Sequence, residues 1–478
     1  MNKNKYLAQN TVLFALSTFS TKIVAFLMVA FYTKVLTQSE YGIIDIIFTT
    51  VGLLFPVIGL SIHNSVLRFL MEDEKQKSNI ISIAVWIAIL GSLVFGGSVF
   101  LLRGFSQIGD YAVSIYLIGV LEVFFYIFAE FTRAVNHISV YVQANIIVTV
   151  ATALLNVIFL GVLDLKVNGY LYATALSYVL ALLYIQCRER VLKYCRGFGL
   201  DLLKHPLAKD MLKFSVYLIP NTLFWWITSV SDKYIILWLV NEAAVGMYAV
   251  SNKIPVIITS MGQVFSQAWQ LSAIKERQSA DRTEYTNKTY HFLFTSLLLL
   301  LSFLLVILKV FVSVYVDASY FESWKAASVL LVSAVYNIMA SVVGSTYVVE
   351  KNNRKNMLST LLGAMINIVL NILWIPRYGL MGAAASTALS YAAVNYYRIY
   401  DTRRMLPIKP FQTSSALTCI LIAVQYYVIF TGQELISVAN IILFGAVLAV
   451  NGKYFKYCFV TAKNLIVRKA GKQSELDE

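Results

Sequence analysis

Twice before residue 69 the chain runs apolar for long enough to cross a bilayer, and each run is interrupted by a stripe of polar side chains. The first, residues 10–33, exceeds the ~20 residues a helix needs to span the hydrocarbon core. It nevertheless carries Lys22 near its middle. At about 100° per residue, Asn10, Thr11, Ser17, Thr18, Thr21 and Lys22 share one face, and Ser20 lies off it. The second, residues 43–67, puts Asp45, Thr49, Pro56 and His63 on one face and leads into Arg68. A lysine at mid-bilayer costs about 2.5–3.5 kcal/mol on insertion scales, so Lys22 is expected to face a wet cavity or a counter-charge. The two striped helices are expected to line a pathway, and the rest of the chain to house it.

The pattern of apolar runs continues to residue 452. Hydrophobic residues make up 59% of the 478 and charged residues 13%, against about 25% charged in soluble domains. The fold class is therefore an all-α polytopic membrane protein. About fourteen spans are expected, near 10–33, 43–67, 80–102, 111–132, 142–161, 169–187, 212–238, 246–270, 290–313, 324–348, 357–375, 380–398, 412–430 and 434–452. The first run is too long for a signal-peptide core and is kept as a permanent span. A net charge of +14 could suggest nucleic acid, but its placement argues otherwise. With the N-terminus inside, 30 of the 39 basic residues fall in inner segments, the bias that fixes orientation in membranes. Both termini are thus expected in the cytoplasm, and no nucleic-acid partner is expected. The four cysteines, Cys187, Cys195, Cys419 and Cys458, have no metal-ligand spacing. No outer loop is long enough for a soluble domain, which disfavours a membrane-bound polymerase or ligase.

An internal repeat organises the spans. Residues 169–178 read Gly-Tyr-Leu-Tyr-Ala-Thr-Ala-Leu-Ser-Tyr, and residues 382–391 read Gly-Ala-Ala-Ala-Ser-Thr-Ala-Leu-Ser-Tyr. Asn156 and Asn371 precede the two copies, and Leu36 to Gly42 has a looser echo at Leu239 to Gly246. Six spans per half is an even number, so the halves run in the same sense, as parallel repeats do. The expected division is a six-helix lobe at 1–187, a basic cytoplasmic linker at 188–211, a second six-helix lobe at 212–400, two further spans at 401–452, and a cytoplasmic tail at 453–478. An ion channel fits this two-lobe repeat poorly. Spans one, two, seven and eight are striped. Spans nine, ten, thirteen and fourteen are more uniformly apolar and are expected to be peripheral or to face lipid.

These features resemble the polysaccharide flippases of the Wzx type, in the superfamily of multidrug, oligosaccharidyl-lipid and polysaccharide exporters. The likeness is densest at Phe19-Ser20-Thr21-Lys22, Phe31 to Leu36, Glu40-Tyr41-Gly42 with Asp45, and Leu67-Arg68-Phe69. Pro220-Asn221, Ser231-Asp232-Lys233-Tyr234, Val245 to Tyr248 and Ile375-Pro376 through Ala384 extend it along most of the chain. The resemblance implies a V-shaped pair of lobes in a bacterial cytoplasmic membrane, with no catalytic step. It implies a polyprenyl-pyrophosphate-linked oligosaccharide as substrate, membrane lipids as surroundings, and a polysaccharide polymerase and chain-length regulator as associates. A multidrug exporter or a lipid II-type flippase would share the architecture.

An anionic pyrophosphate crossing hydrocarbon needs cations along its way. Lys22, Arg68 and Lys253 are the candidates, with Lys233 a weaker one. Against this, Lys22 could be a structural partner of Glu122 or Asp45, Arg68 an interfacial anchor, and Lys233 locally paired. Thr18, Thr21, Asp45, Thr49, Asn221, Trp225, Asn252, Thr259 and Gln263 are the candidate lining of the cavity. Glu122 and Asp232 are candidates for H⁺ or Na⁺ coupling, or else fixed buried counter-ions. No other cofactor and no metal is expected.

Overall fold

With no water in a bilayer core, each backbone N–H and C=O must be satisfied within its own segment, and a helix is the simplest way to do it. A computed structural model describes residues 21–97, 103–104, 109–195, 205–275, 279–350, 352–410 and 412–452, and among them no strand occurs. Within the described residues the expected spans fall mainly on helix, with 10–20 of the first and 98–102 of the third lying outside them, and nine of the described helices are long and apolar enough to cross a membrane. By internal packing the chain forms two compact units, residues 1–249 and 250–478.

The first unit holds α1 (residues 21–35), α2 (Gln38–Ile58), α3 (Ile62–Glu72), α4 (Lys77–Gly96), α5 (Ala112–Ala134), α6 (Ile138–Asn156), α7 (Lys166–Glu189), α8 (Pro206–Val216), α9 (Ile219–Leu239) and most of α10 (Glu242–Lys253). Expected span two is not one helix but two. Pro56 lies inside the last turn of α2, and having no N–H it weakens the helix there. Leu60 and Ser61 then take φ of 45° and 51°, a left-handed bend that ends one helix and starts the next. Gly91 of α4 lies against this bend, where a Cβ would stand 2.2 Å from the carbonyl oxygen of Ile58. Ile62, Val66 and Leu70 of α3, Ile80, Ile83 and Ile87 of α4, and Phe125 and Phe131 of α5 make the core. Asn156 at the end of α6 donates to the Tyr32 hydroxyl at 2.8 Å and ties that helix to α1.

The packing boundary differs from the repeat boundary expected near 188–211. The reason is that α8 and α9 lie on the first-half helices. The Ser65 hydroxyl of α3 reaches the Met211 carbonyl at 2.7 Å and the Ser215 hydroxyl at 2.5 Å. The sequence repeat and the packing divide the chain in two different ways.

The second unit holds α11 (Pro255–Lys275), α12 (Arg282–Tyr315), α13 (Ser323–Val349), α14 (Asn353–Thr402), α15 (Thr413–Thr431) and α16 (Val438–Val450). Its central helix is α13, which corrects the expectation that span ten is peripheral. Ala326, Ala327, Ala334, Ala340, Gly344 and Ser345 are all buried along it. A helix that is apolar all round can face lipid or sit in a core, and small residues decide for the core by admitting neighbours on every side. The second repeat copy lies in α14, which is interrupted at Gly379 with φ 54° and ψ −132°. Such a conformation belongs to glycine. Gly382 then packs where a Cβ would stand 2.6 Å from the Trp374 carbonyl oxygen, so the block Ile375 to Gly382 is a tight reversal between two spans. Span thirteen, α15, is held by polar contacts. Ser302 donates to Gln425 at 2.7 Å, and the buried Lys309 donates to the Gly432 carbonyl at 2.7 Å.

Arg398 anchors the end of α14. The residue is 7% exposed, and its guanidinium is held by neutral acceptors, donating to Ser359 Oγ (2.9 Å), the Ala340 carbonyl (2.8 Å), Asn356 Oδ1 (3.0 Å) and Thr360 Oγ1 (2.9 Å). Removing the donor strands several buried acceptors. Arg398→Met, which keeps much of the bulk, should therefore destabilise the protein by about 2–4 kcal/mol. This would be read as a lower thermal midpoint of the purified protein in detergent.

Candidate functional site

The polar stripe of α2 is met by the polar stripe of α9. Lys233 Nζ lies 2.7 Å from Asp45 Oδ2, with the two side chains 18% and 15% exposed. One turn along, the Thr50 and Tyr234 hydroxyls are 2.7 Å apart, and Trp226 Nε1 donates to the Thr49 carbonyl at 2.9 Å. The rings of Trp226, Tyr234 and Trp238 follow one another at 5.6 and 6.0 Å. Beside this seam the buried Asp232 accepts from the Tyr248 hydroxyl at 2.6 Å and from the Lys233 amide at 3.0 Å. Asp45 thus holds the Lys233 ammonium, while Asp232 is satisfied by the Tyr248 hydroxyl and the Lys233 backbone amide.

The sequence candidates separate into those brought together and those not. Asp45 and Asp232 sit in the seam, and Asp45 takes Lys233 as its ion partner. Thr49 belongs to the seam as well, but it is 8% exposed and its hydroxyl returns to the Asp45 carbonyl at 2.7 Å. Its polar atoms are therefore engaged in helix packing. Lys22 stands exposed near the described start of α1, with Thr21 half-buried beside it. Arg68 is on the exposed end of α3, 2.6 Å from Glu72. Lys253, Asn252 and Thr259 belong to the second unit and are half-buried. Thr18 and the side chains of Asn221, Trp225 and Gln263 lie outside the described residues.

Glu122 forms a separate cluster inside the first unit. It is half-buried in α5 and is hydrogen-bonded by the hydroxyl of Tyr178, the last residue of the first repeat copy. Tyr126, one turn further along α5, has its ring 5.2 Å from Phe55 and 5.9 Å from His63. His63 itself is a packed polar residue, 3.0 Å from Asn64 Nδ2. The cluster sits at the bend between α2 and α3. Among the described residues no three His, Cys, Asp or Glu side chains converge as a metal site requires.

Sequence periodicity places Asp45, Asp232 and Lys233 on polar faces, but it does not say which faces meet. The signal that could have paired them is the tandem Asp232-Lys233, an acid and a base turned 100° apart that serve two neighbours. The pair makes a quantitative expectation. Asp45→Asn or Lys233→Gln alone leaves the other charge without its partner, whereas the double substitution removes both. Thermal midpoints of the four proteins in detergent should give a coupling of about 1–3 kcal/mol.

Comparison with known proteins bears on both the fold and the family. Among solved structures, the lipid II flippase MurJ in an inward closed conformation matches at a TM-score of 0.69 with 13% identity, over 95% of this chain and 100% of that one. An inward-facing multidrug resistance MATE transporter matches at 0.64 with 13% identity, over 83% and 98%. A Vibrio cholerae MATE transporter matches at 0.54 with 12% identity, over 84% and 98%. At these identities the likeness establishes the fold. No curated protein matches the sequence. The family model of polysaccharide biosynthesis proteins matches residues 7–270, a stretch that contains the whole block of motifs from Phe19 to Phe69. With more than half of its length matched, this multi-pass membrane protein belongs to the polysaccharide biosynthesis protein family.

Proposed function

We propose that the chain is a flippase that carries a polyprenyl-pyrophosphate-linked oligosaccharide from the inner to the outer leaflet by alternating access, for capsule, O-antigen or another surface polysaccharide. The observation that carries this reading is the family match over residues 7–270, in a chain whose first span bears Lys22. A pyrophosphate in hydrocarbon needs a cation, and Lys22 stands exposed on its helix rather than buried in the unit's core. The lipid tail stays in the bilayer while the head group crosses, so the path must be open sideways as well as at its ends. Membrane lipids are then the immediate surroundings. The polymerase and chain-length regulator act on the delivered unit, in the cytoplasmic membrane of a bacterium, with both termini of the flippase inside.

A drug exporter is the second reading, supported by the fold shared with MATE transporters. Lys22 separates the two. Lys22→Ala should lower surface glycan to background and cause the lipid-linked unit to accumulate inside, with the amount of protein in the membrane unchanged. Lys22→Arg should keep part of the activity, since the charge remains while its geometry changes. Normal surface glycan with Lys22→Ala overturns the phosphate role.

Energy for the cycle enters through a titratable or ion-binding group, and Glu122 is the first choice. It lies at the bend of the second span, with Tyr178, Tyr126 and His63 around it. Glu122→Gln keeps the shape and the acceptor for Tyr178 while removing the charge. Vesicles carrying this variant should move substrate at a rate that no longer depends on an imposed H⁺ or Na⁺ gradient. A gradient response equal to that of the wild type makes Glu122 a structural group and leaves Asp232 as the coupling candidate.

A further inference from the structure

A membrane helix has little reason to bury an ammonium group, yet α12 does so near its end. Lys309 is 6% exposed. Its Nζ donates to the carbonyl of Gly432, just past α15, at 2.7 Å. It also lies 4.6 Å from the centre of the Trp324 ring at the start of α13, a favourable setting for a cation. Among the described residues no carboxylate forms an ion pair with it, and Glu322 is taken by Lys325 at 2.5 Å. An ammonium has three N–H donors, so Lys309 keeps donors beyond the one given to Gly432. It lines a cleft formed by α12, α15 and the start of α16, apolar at Leu305, Val306 and Ile429 and polar at Lys309, Glu434 and Asn440. Asn440 is 2% exposed, and its side-chain oxygen has no hydrogen-bond partner. Its backbone carbonyl, by contrast, accepts from Gln425 Nε2 at 3.3 Å. An unmet buried acceptor is costly, so this one marks a place for a donor. The cavity volume is about 10 Å³, room for one group the size of a water molecule.

The cleft thus offers a cation with donors to spare, an exposed carboxylate and an unmet acceptor, with space for one small group. A phosphate alone would pair with Lys309 but leave Asn440 unmet and face the charge of Glu434. A water molecule alone would serve Asn440 but bring Lys309 no counter-charge. A phosphate joined to a primary amine answers all three groups. Its ammonium is the size of water and carries donors, whereas a trimethylated ammonium is larger and has none. The apolar lining continues onto α16, where Val438, Ile441 and Ile442 are 66%, 47% and 66% exposed, a surface suited to acyl chains. We propose that the cleft between α12, α15 and α16 binds a phospholipid with a primary-amine headgroup. The phosphate takes the Lys309 ammonium, and the lipid's ammonium takes Asn440 Oδ1 and the Glu434 carboxylate. The site uses none of the residues of the α2–α9 seam and does not depend on what the protein transports.

The test titrates the full chain, purified in detergent and stripped of lipid, and reads bound lipid by native mass spectrometry. The probes are dioleoyl phosphatidylethanolamine and its N-methyl, N,N-dimethyl and N,N,N-trimethyl forms, the last being phosphatidylcholine. Affinity should fall by about tenfold from the primary amine to the trimethyl form, as the donors to Asn440 are lost. Lys309→Gln should weaken every member of the series. Asn440→Leu should abolish the preference within the series while leaving the trimethyl form bound as before. Gly445→Ala, also in α16 and with nothing within 4 Å of an added Cβ, is the control. If the variants do not fold, the methylation series on the unaltered chain decides alone. Equal affinity along that series, or a preference that survives Asn440→Leu, means that the cleft holds water only and overturns the proposal. Glycerophosphoethanolamine, which has the same phosphate and amine without acyl chains, should bind at least about tenfold more weakly than the lipid. Equal binding of this soluble compound overturns the lipid as the source.

Discussion

In hydrocarbon a polar side chain has no water to fall back on, and the architecture of this protein follows from where each one finds a partner. Asn156 reaches Tyr32, Gln425 accepts from Ser302, and Arg398 is surrounded by serine, threonine, asparagine and a carbonyl. None of these contacts is individually large, since interhelical hydrogen bonds in membranes average below about 1 kcal/mol. Their weight lies in exclusion. A helix rotated by a third of a turn would present the same groups to lipid, where each costs several times that amount. The polar contacts therefore select the rotation of each helix, and small residues such as those along α13 then set how closely the helices approach.

The same rule explains why the seam between α2 and α9 draws so many chemically distinct groups to one place. A span that lines a water-filled path must be polar where it is wet, and it must bury that polarity where it meets a neighbour. Asp45 does so by pairing with Lys233, and Asp232 by accepting from the Tyr248 hydroxyl and the Lys233 amide. Such a cluster is costly to build and sensitive to any added charge. That sensitivity constrains how the second span can be altered without leaving a charge unpartnered.

Much of this was legible in the sequence. Long apolar runs and charge-bearing gaps place the described spans mainly on helix, because length and hydropathy determine which segments can cross a bilayer. The repeat at 169–178 and 382–391 marked equivalent reversals, and Gly169 and Gly382 do occupy corresponding tight corners. Pairing was not legible. Lys233 takes Asp45, a pairing no periodicity announces, because periodicity defines a face and not the helix opposite. The burial of α13 is not legible for a related reason: uniform apolarity reads the same in a core as in lipid, and only its run of Ala, Gly and Ser separates the two. The echoed loops meet backbone to backbone at Gly42 and Gly246, and a resemblance between two loops does not reveal that they touch.

The bend at Leu60 and Ser61 has a mechanical consequence. It divides the second span into two arms on one fulcrum, and the shorter arm, α3, is docked on α8 through Ser65, Met211 and Ser215. The longer arm, α2, has 21 residues. At 1.5 Å per residue it is about 30 Å long, so a tilt of about 10° at the fulcrum carries its far end about 5 Å. A small rotation at the fulcrum is thereby geared into a displacement larger than the α-helical Cα radius. On this geometry, any rotation at the bend beside Glu122 is amplified along α2 toward its start at Gln38.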